Sequence, residues 1–147
     1  MIPFTDLHAQ YLEAKEGIDA AIARVLDTSS YITGPMVEEF EAAFAEYVRA
    51  PAACATGSGT TALMCALMAC DIGRGDEVIT TPHTFISTSE AIYWQGAKPV
   101  FVDIDEYYQI DVDKIEAAIT RRTRAILFVD MYLSLIHISE PTRLLSI

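Results

Sequence analysis

The chain is 147 residues long and 52% hydrophobic, with a formal net charge of −11 and a pI near 4.5. That is one domain's length with enough apolar content for a core. The acidity argues against non-specific binding to nucleic acid or an anionic membrane.

Three cysteines, Cys54, Cys65 and Cys70, form no C-x-x-C pair. They suit a reducing compartment better than a disulfide framework, so a cytoplasmic protein is expected. The start, Met1-Ile2-Pro3-Phe4-Thr5-Asp6, has neither the basic nor the apolar segment of a signal peptide. No apolar run reaches the about 18 residues that a membrane span needs. Residues 8–27 predict a helix, with Leu12, Ile18, Ile22, Val25 and Leu26 at roughly helical spacing. Residues 29–34 break the pattern, and Pro35 opens a second helix where proline is tolerated. Along it Val37, Phe40, Phe44, Tyr47 and Val48 make one apolar stripe, while Glu38, Glu39, Glu41 and Glu46 are expected on a solvated face.

From Pro51 short apolar strands alternate with helices. Strands are expected at 52–55, 77–81, 98–103 and 124–130, and helices at 60–71, 86–95 and 113–120. Gly73, Gly75 and Gly96 are expected to stop the first two of these helices, and Asp111 or Asp113 to cap the third. Cys65 and Cys70 are expected as buried thiols in an apolar helix. The runs 100–102 and 125–129 are continuously apolar, as strands covered on both faces are. The alternation implies an α/β fold with an at least partly parallel sheet.

The chemistry concentrates in Ala55-Thr56-Gly57-Ser58-Gly59-Thr60-Thr61-Ala62. A small-residue turn entering a helix leaves backbone N–H groups unpaired, and with the helix dipole they make a phosphate site. The bland alternative is a helix start capped by Ser58 or Thr60, with no ligand. The turn also matches the G-x-G-x-x-A fingerprint, but a dinucleotide site needs an acid at the end of the next strand. That strand ends Ile79-Thr80-Thr81-Pro82; Asp76 and Glu77 lie at its start, and Asp103 and Asp105 come too far along. No Gly-Lys-Ser/Thr follows, which excludes a P-loop. The segment from Thr80 to Thr88 follows a strand and opens a helix. If the strands are parallel, it brings Phe85 to the same carboxyl edge as the turn, where open α/β sheets bind ligands. N–H donors and a flat ring together suit a planar aromatic cofactor with a phosphate arm, the shape of pyridoxal phosphate.

In these residues the sequence resembles the N-terminal part of the DegT/DnrJ/StrS family of pyridoxal-phosphate-dependent sugar aminotransferases. The resemblance runs through most of residues 2–132. It is carried by Ile2-Pro3-Phe4 with Asp6-Leu7, Ile32-Thr33-Gly34-Pro35, and Gly57-Ser58-Gly59-Thr60 with Ala62-Leu63. Next come Ile72-Gly73 with Gly75-Asp76-Glu77-Val78-Ile79, and Thr84-Phe85 with Ser87-Thr88. The stretch from Gly96 to Asp105, Ile115-Glu116-Ala117-Ala118-Ile119-Thr120, and Arg122-Thr123-Arg124-Ala125-Ile126 complete it.

The resemblance implies an α/β fold, the N-terminal portion of the fold-type-I transferase large domain, with helices covering a mostly parallel sheet. It implies an active site built by two subunits of a homodimer. The backbone N–H groups of Ser58, Gly59 and Thr60 would hold the phosphate of pyridoxal 5'-phosphate, and Phe85 would stack on its pyridine ring. Thr33 and Gly34 would lie near a substrate pocket at the subunit interface. The implied reaction moves an amino group, usually from glutamate, onto the keto group of a nucleotide-linked sugar, with the cofactor as electron sink. The partners implied are a nucleotide-sugar substrate and an amino-acid donor, with no metal, nucleic acid or membrane. Asp103 and Asp105 are expected to be structural, because the family's acid on the pyridine nitrogen comes later in the chain. His83 is expected as a solvated loop residue, and Asp130 stands where many members carry histidine. A sugar dehydratase of the same family, with histidine in place of the lysine, is the nearest alternative. A non-enzymatic dinucleotide-binding or regulatory module is an alternative of another class.

Residues 133–143 are identical to the in-frame translation of an adapter used in DNA library preparation. Residues 1–132 are therefore expected as native large-domain sequence and residues 133–147 as a non-native tail. The resemblance ends at Tyr132, ahead of the segments in which the family carries its pyridine-nitrogen acid and its Schiff-base lysine. Lys15, Lys98 and Lys114 match neither, so no catalytic residue is assigned. The chain is expected to be inactive and to expose apolar surface and open sheet edges.

Overall fold

Residues 5–132, described by a computed structural model, carry eight regular elements. Residues 133–147, expected as a non-native tail, lie outside the described residues. The chain divides into two compact units, Met1–Ala55 and Thr56–Ile147.

The first unit contains two helices. In α1 (Leu7–Thr28), Asp6 caps the start by accepting from the Ala9 N–H at 3.0 Å. The helix ends on Ser29 in the left-handed region, φ 52°. In α2 (Pro35–Val48), Pro35 takes the first-turn position and Arg49, φ 56°, closes the far end. Arg24 and Glu39 join the two helices through a forked ion pair, and Glu41 accepts from the Ala55 N–H at 2.7 Å. Two of the four glutamates expected on a solvated face thus hold partners within reach of their long side chains. Among the described residues of this unit Ala45 is the only buried hydrophobic one; Ile22, Leu26, Phe40 and Phe44 all stay exposed.

The second unit contains α3 (Gly59–Ala69), β1 (Glu77–Thr80), α4 (Ser87–Trp94), β2 (Lys98–Phe101), α5 (Val112–Ala118) and β3 (Thr123–Leu127). The three strands form one sheet in the order β2-β1-β3, and β1 runs parallel to both neighbours. The helix between consecutive strands makes this possible, since parallel strands need a long crossover. β1 occupies the centre and is buried along its whole length. Its alternating side chains serve two clusters. Val78 packs with Leu67, Ile72, Ala91, Ile92 and Ala97 from the α3 and α4 side. Ile79 packs with Val102 and Ile110, backed by Ile115 and Ala118 of α5. The outer strands β2 and β3 are only partly covered, and Pro99 is tolerated in β2 because that strand is an edge.

Three expectations are corrected. Residues 52–55 form no strand: an alanine-rich tetrapeptide has low β propensity. Helix α3 stops at Ala69, not at a glycine. Asp71 takes the left-handed conformation, φ 54°, and the Ile72 N–H closes back onto Leu67 O at 3.1 Å. Cys65 and Cys70 are exposed, as is Cys54. Helix α3 is apolar all round but turns only the face of Leu63, Met64 and Leu67 to the sheet. Among the described residues no helix is long and apolar enough to cross a membrane.

Candidate functional site

The site is built where α3 begins. Ser58 is extended, φ −166° and ψ 162°, and its Oγ accepts from the Thr61 N–H at 3.1 Å. It is therefore the cap. The Ala62 N–H bonds to Ser58 O at 3.0 Å, which starts the helical ladder. The N–H groups of Gly59 and Thr60 have no acceptor among the described residues. They are two of the donors that a helix start leaves over once one cap is made. A Cβ added at Gly59 would meet nothing within 4 Å, so open space lies beside them.

The second wall comes from the segment after β1. Thr84 and Thr88 share a hydroxyl–hydroxyl hydrogen bond of 2.9 Å, and the Thr88 N–H bonds to Phe85 O at 3.1 Å. These bonds wind the entry into α4 tightly. Thr60 Oγ1 and Ser87 Oγ meet at 2.7 Å and tie the start of α3 to the start of α4. Both helix starts thus lie beside the carboxyl end of β1, the edge at which open α/β sheets bind ligands. Between them runs a groove of about 660 Å³, lined by Gly59, Thr60, Ala62, Leu63, Phe85 and Ser87 among others. Phe85 is 73% exposed, so its ring is presented, not packed away.

The structure thus brings Gly59, Thr60 and Phe85 to one groove, with Ser58 capping the helix behind the first two. Ser87 and Thr88, nearly buried at the groove, carry part of the resemblance but were not assigned to the site by sequence reasoning. The hydroxyl run from Thr84 to Thr88 around an exposed phenylalanine is the signal that marks them. Thr33 and Gly34 form the turn between α1 and α2 in the first unit. Both have positive φ, 55° and 113°. A β-branched residue in that region is a backbone outlier. Gly34 O accepts from the Val37 N–H at 2.9 Å.

His83, expected in solvent, is half-buried against the rings of Tyr108 and Tyr132. The segments after β2 and β3 bring those tyrosines to the same edge, which their distance in sequence conceals. Asp103 and Asp105 serve the backbone: Asp103 accepts from Ile104 at 2.8 Å, and Asp105 accepts from Tyr107 at 2.8 Å and Gln109 at 3.0 Å. The lysines are engaged as cations. Asp19 and Tyr11 hold the Lys15 ammonium above its ordinary value. Asp111, 2.7 Å away, does the same for Lys114. Lys98 opens β2, at the amino end of the sheet, 3.7 Å from Glu77.

The profile of the DegT/DnrJ/EryC1/StrS aminotransferase family matches residues 13–143. The UDP-2-acetamido-2-deoxy-3-oxo-D-glucuronate aminotransferase of Pseudomonas aeruginosa is 47% identical over 133 residues, which is 90% of this chain and 37% of that protein. The crystal structure of DesV from Streptomyces venezuelae superposes with a TM-score of 0.83 at 47% identity, over 89% of this chain and 36% of that one. The ntda protein of Bacillus subtilis, solved with bound PMP, gives 0.76 at 39% identity, over 82% and 28%. The chain spans little more than a third of the length of the curated relatives it matches. The match along most of the chain, in sequence and in fold, establishes that the chain belongs to the DegT/DnrJ/EryC1/StrS aminotransferase family.

Proposed function

We propose that residues 1–132 are the N-terminal portion of the large domain of a pyridoxal-phosphate-dependent aminotransferase acting on a nucleotide-linked keto sugar. The observation that carries this is the groove itself. One end offers the unpartnered N–H groups of Gly59 and Thr60 at the positive end of a helix. The other offers an exposed phenyl ring. A phosphate arm fits the first and a flat heteroaromatic ring the second. Ser58, Gly59 and Thr60 hold the phosphate, and Phe85 holds the ring in plane. When bound, pyridoxal phosphate supplies an electron sink for moving the amino group. The chain's own residues orient the cofactor and shield one face from water. The strained turn at Thr33 and Gly34 serves the sugar substrate, in keeping with strain gathering at functional positions.

The amino donor is an amino acid, glutamate in the simplest case. The acceptor class follows from relatives named for UDP- and dTDP-sugars. The complete protein works as a cytoplasmic homodimer. Residues 133–147 are non-native by their identity with the adapter translation, although the family match runs on to residue 143, and the 147-residue chain is inactive. Each of its lysines is committed to a carboxylate or stands at the amino end of the sheet, so none bonds the cofactor aldehyde. A dinucleotide site is disfavoured because β1 ends at Thr80 with no acid following it.

The test is binding of pyridoxal phosphate and of pyridoxal, by equilibrium dialysis, to the full-length protein that carries this segment. Gly59→Asp places a carboxylate beside the free donors, in open space and at a helix start where acids are favourable. It is expected to weaken pyridoxal phosphate by about ten-fold or more while leaving pyridoxal unchanged. Equal loss of both ligands, or of neither, would falsify the phosphate assignment.

A further inference from the structure

His83 stands two residues before Phe85, and its ring lies between tyrosines from two other segments. The centroid of Tyr108, from the segment after β2, is 5.6 Å away, and that of Tyr132, from the segment after β3, is 5.9 Å away. The two tyrosines meet edge to face at 5.6 Å and 84°. Both have positive φ, 63° and 56°, a conformation that costs energy outside glycine and persists only when its surroundings impose it. Their sequence neighbours are joined directly, since Gln109 Nε2 donates to Met131 O. The walls of this box are therefore linked to each other without His83.

Inside the box, His83 Nε2 is buried and has no hydrogen-bond partner among the described residues. The imidazole is held by contact with aromatic rings, not by its polar atom. Its backbone N–H donates to Thr81 Oγ1 at 3.2 Å, and Thr81 is fully buried. From there the path to Phe85 is short and stiff. The Thr84 N–H bonds to Pro82 O at 3.0 Å, and Thr84 Oγ1 meets Thr88 Oγ1 at 2.9 Å. The Phe85 ring is largely exposed, so its place is set by this turn more than by its own packing.

We propose that His83 is a positioning residue: wedged between Tyr108 and Tyr132, it anchors the turn that presents Phe85 to the groove. The proposal rests on the reading of Phe85 as the residue that stacks on the cofactor ring. It explains why a polar atom is buried unpaired at a cost: the ring's shape is what is used. It also gives the two strained tyrosines a common purpose. Segments following all three strands are locked together at the edge where the ligand binds.

The test uses the full-length protein carrying this segment, with 4-fluorophenylalanine incorporated at Phe85 and read by fluorine NMR before any cofactor is added. His83→Ala is expected to shift and broaden the resonance and to weaken pyridoxal phosphate about ten-fold. His83→Phe keeps a ring in the box and is expected to restore both. Gln109→Ala loosens the walls and is expected to give a smaller change of the same kind. An unchanged resonance in His83→Ala, or His83→Phe behaving like His83→Ala, overturns the proposal. Should His83→Ala fail to fold, Gln109→Ala decides, and an unmoved resonance there overturns it. A shifted resonance with undiminished affinity upholds the anchor and instead removes Phe85 from the cofactor site.

Discussion

The two units use the same kind of apolar residue in opposite ways. In the second, Val78, Ile79, Ala91 and Ile92 are removed from solvent altogether, because a central strand has a neighbour on each side and helices over each face. In the first, Ile22, Phe40 and Phe44 are spaced for burial yet remain 54%, 57% and 47% exposed. An amphipathic stripe shows that a helix has a face to hide; it does not provide the partner that hides it. Stability therefore rests on the sheet unit, and the helical unit has unsatisfied apolar area, the condition under which association and aggregation set in.

The largest expected effect tests that contrast directly. Ile79→Ala removes a side chain that is 0% exposed between β1 and α5, and is expected to cost about 3 kcal/mol through lost transfer energy and the cavity left behind. Ile22→Ala, on the exposed stripe, is expected to cost about 0.5 kcal/mol or less. Urea midpoints followed by far-ultraviolet circular dichroism measure both. Equal losses would mean that the first unit buries its stripe after all.

A smaller effect separates the two units by charge. Glu77 is buried at the start of β1. Its carboxylate accepts from Thr120 Oγ1 and Arg122 Nη2, each at 2.6 Å, with Lys98 at 3.7 Å. The Thr120 hydroxyl first, then the charges of Arg122 and Lys98, hold its carboxyl below the ordinary 4.5 against the opposing effect of burial. A depressed folded value means stability that is present in full above pH 4.5 and is lost as pH falls through that lower value. Glu39 is also lowered, by the Arg24 guanidinium, but that pair is exposed and screened. Glu77→Gln is therefore expected to lower the urea midpoint at pH 7 and to converge with the wild type in acid, while Glu39→Gln tracks the wild type throughout. If the two variants respond alike, burial is not what distinguishes the pairs.

Much of this arrangement was legible beforehand, for reasons that particular residues make clear. Pro35, the hydroxyl of Ser58, Asp111 and the apolar periodicity are local signals, and they place the start of α2, the cap of α3, the cap of α5 and the span of α1 within a residue or two. The apolar runs 100–102 and 125–129, expected to be covered on both faces, fall instead in and beside the outer strands β2 and β3, which are only partly covered, while the strand buried throughout is β1, bounded by the polar Glu77 and Thr80. What escaped depends on residues far apart in sequence. An all-apolar α3 does not disclose which face meets the sheet, so Cys65 was assigned to the wrong one. His83 and its tyrosines are separated by 25 and 49 positions, and only the parallel topology brings them to one edge.

The finest contrast lies in how the helices stop. In the first unit α1 and α2 end on Ser29 and Arg49, non-glycine residues at φ 52° and 56°. In the second, α3 likewise closes through a non-glycine residue, Asp71 at φ 54°, whereas α4 is followed by Gly96 at φ 77°, whose N–H bonds to Tyr93 O at 2.8 Å. A Cβ at Gly96 would meet Arg74 no closer than 3.6 Å, an ordinary contact, so substitution there costs backbone strain and not a clash. Gly96→Ala is expected to destabilise by about 1 kcal/mol. Arg49→Gly relieves the same kind of strain and is expected to stabilise, by about 0.5 kcal/mol once the added freedom of the unfolded chain is set against it. Opposite signs in thermal unfolding would establish that the left-handed position is the cause in both units. A loss at both positions would show that the Arg49 side chain does more than close its helix.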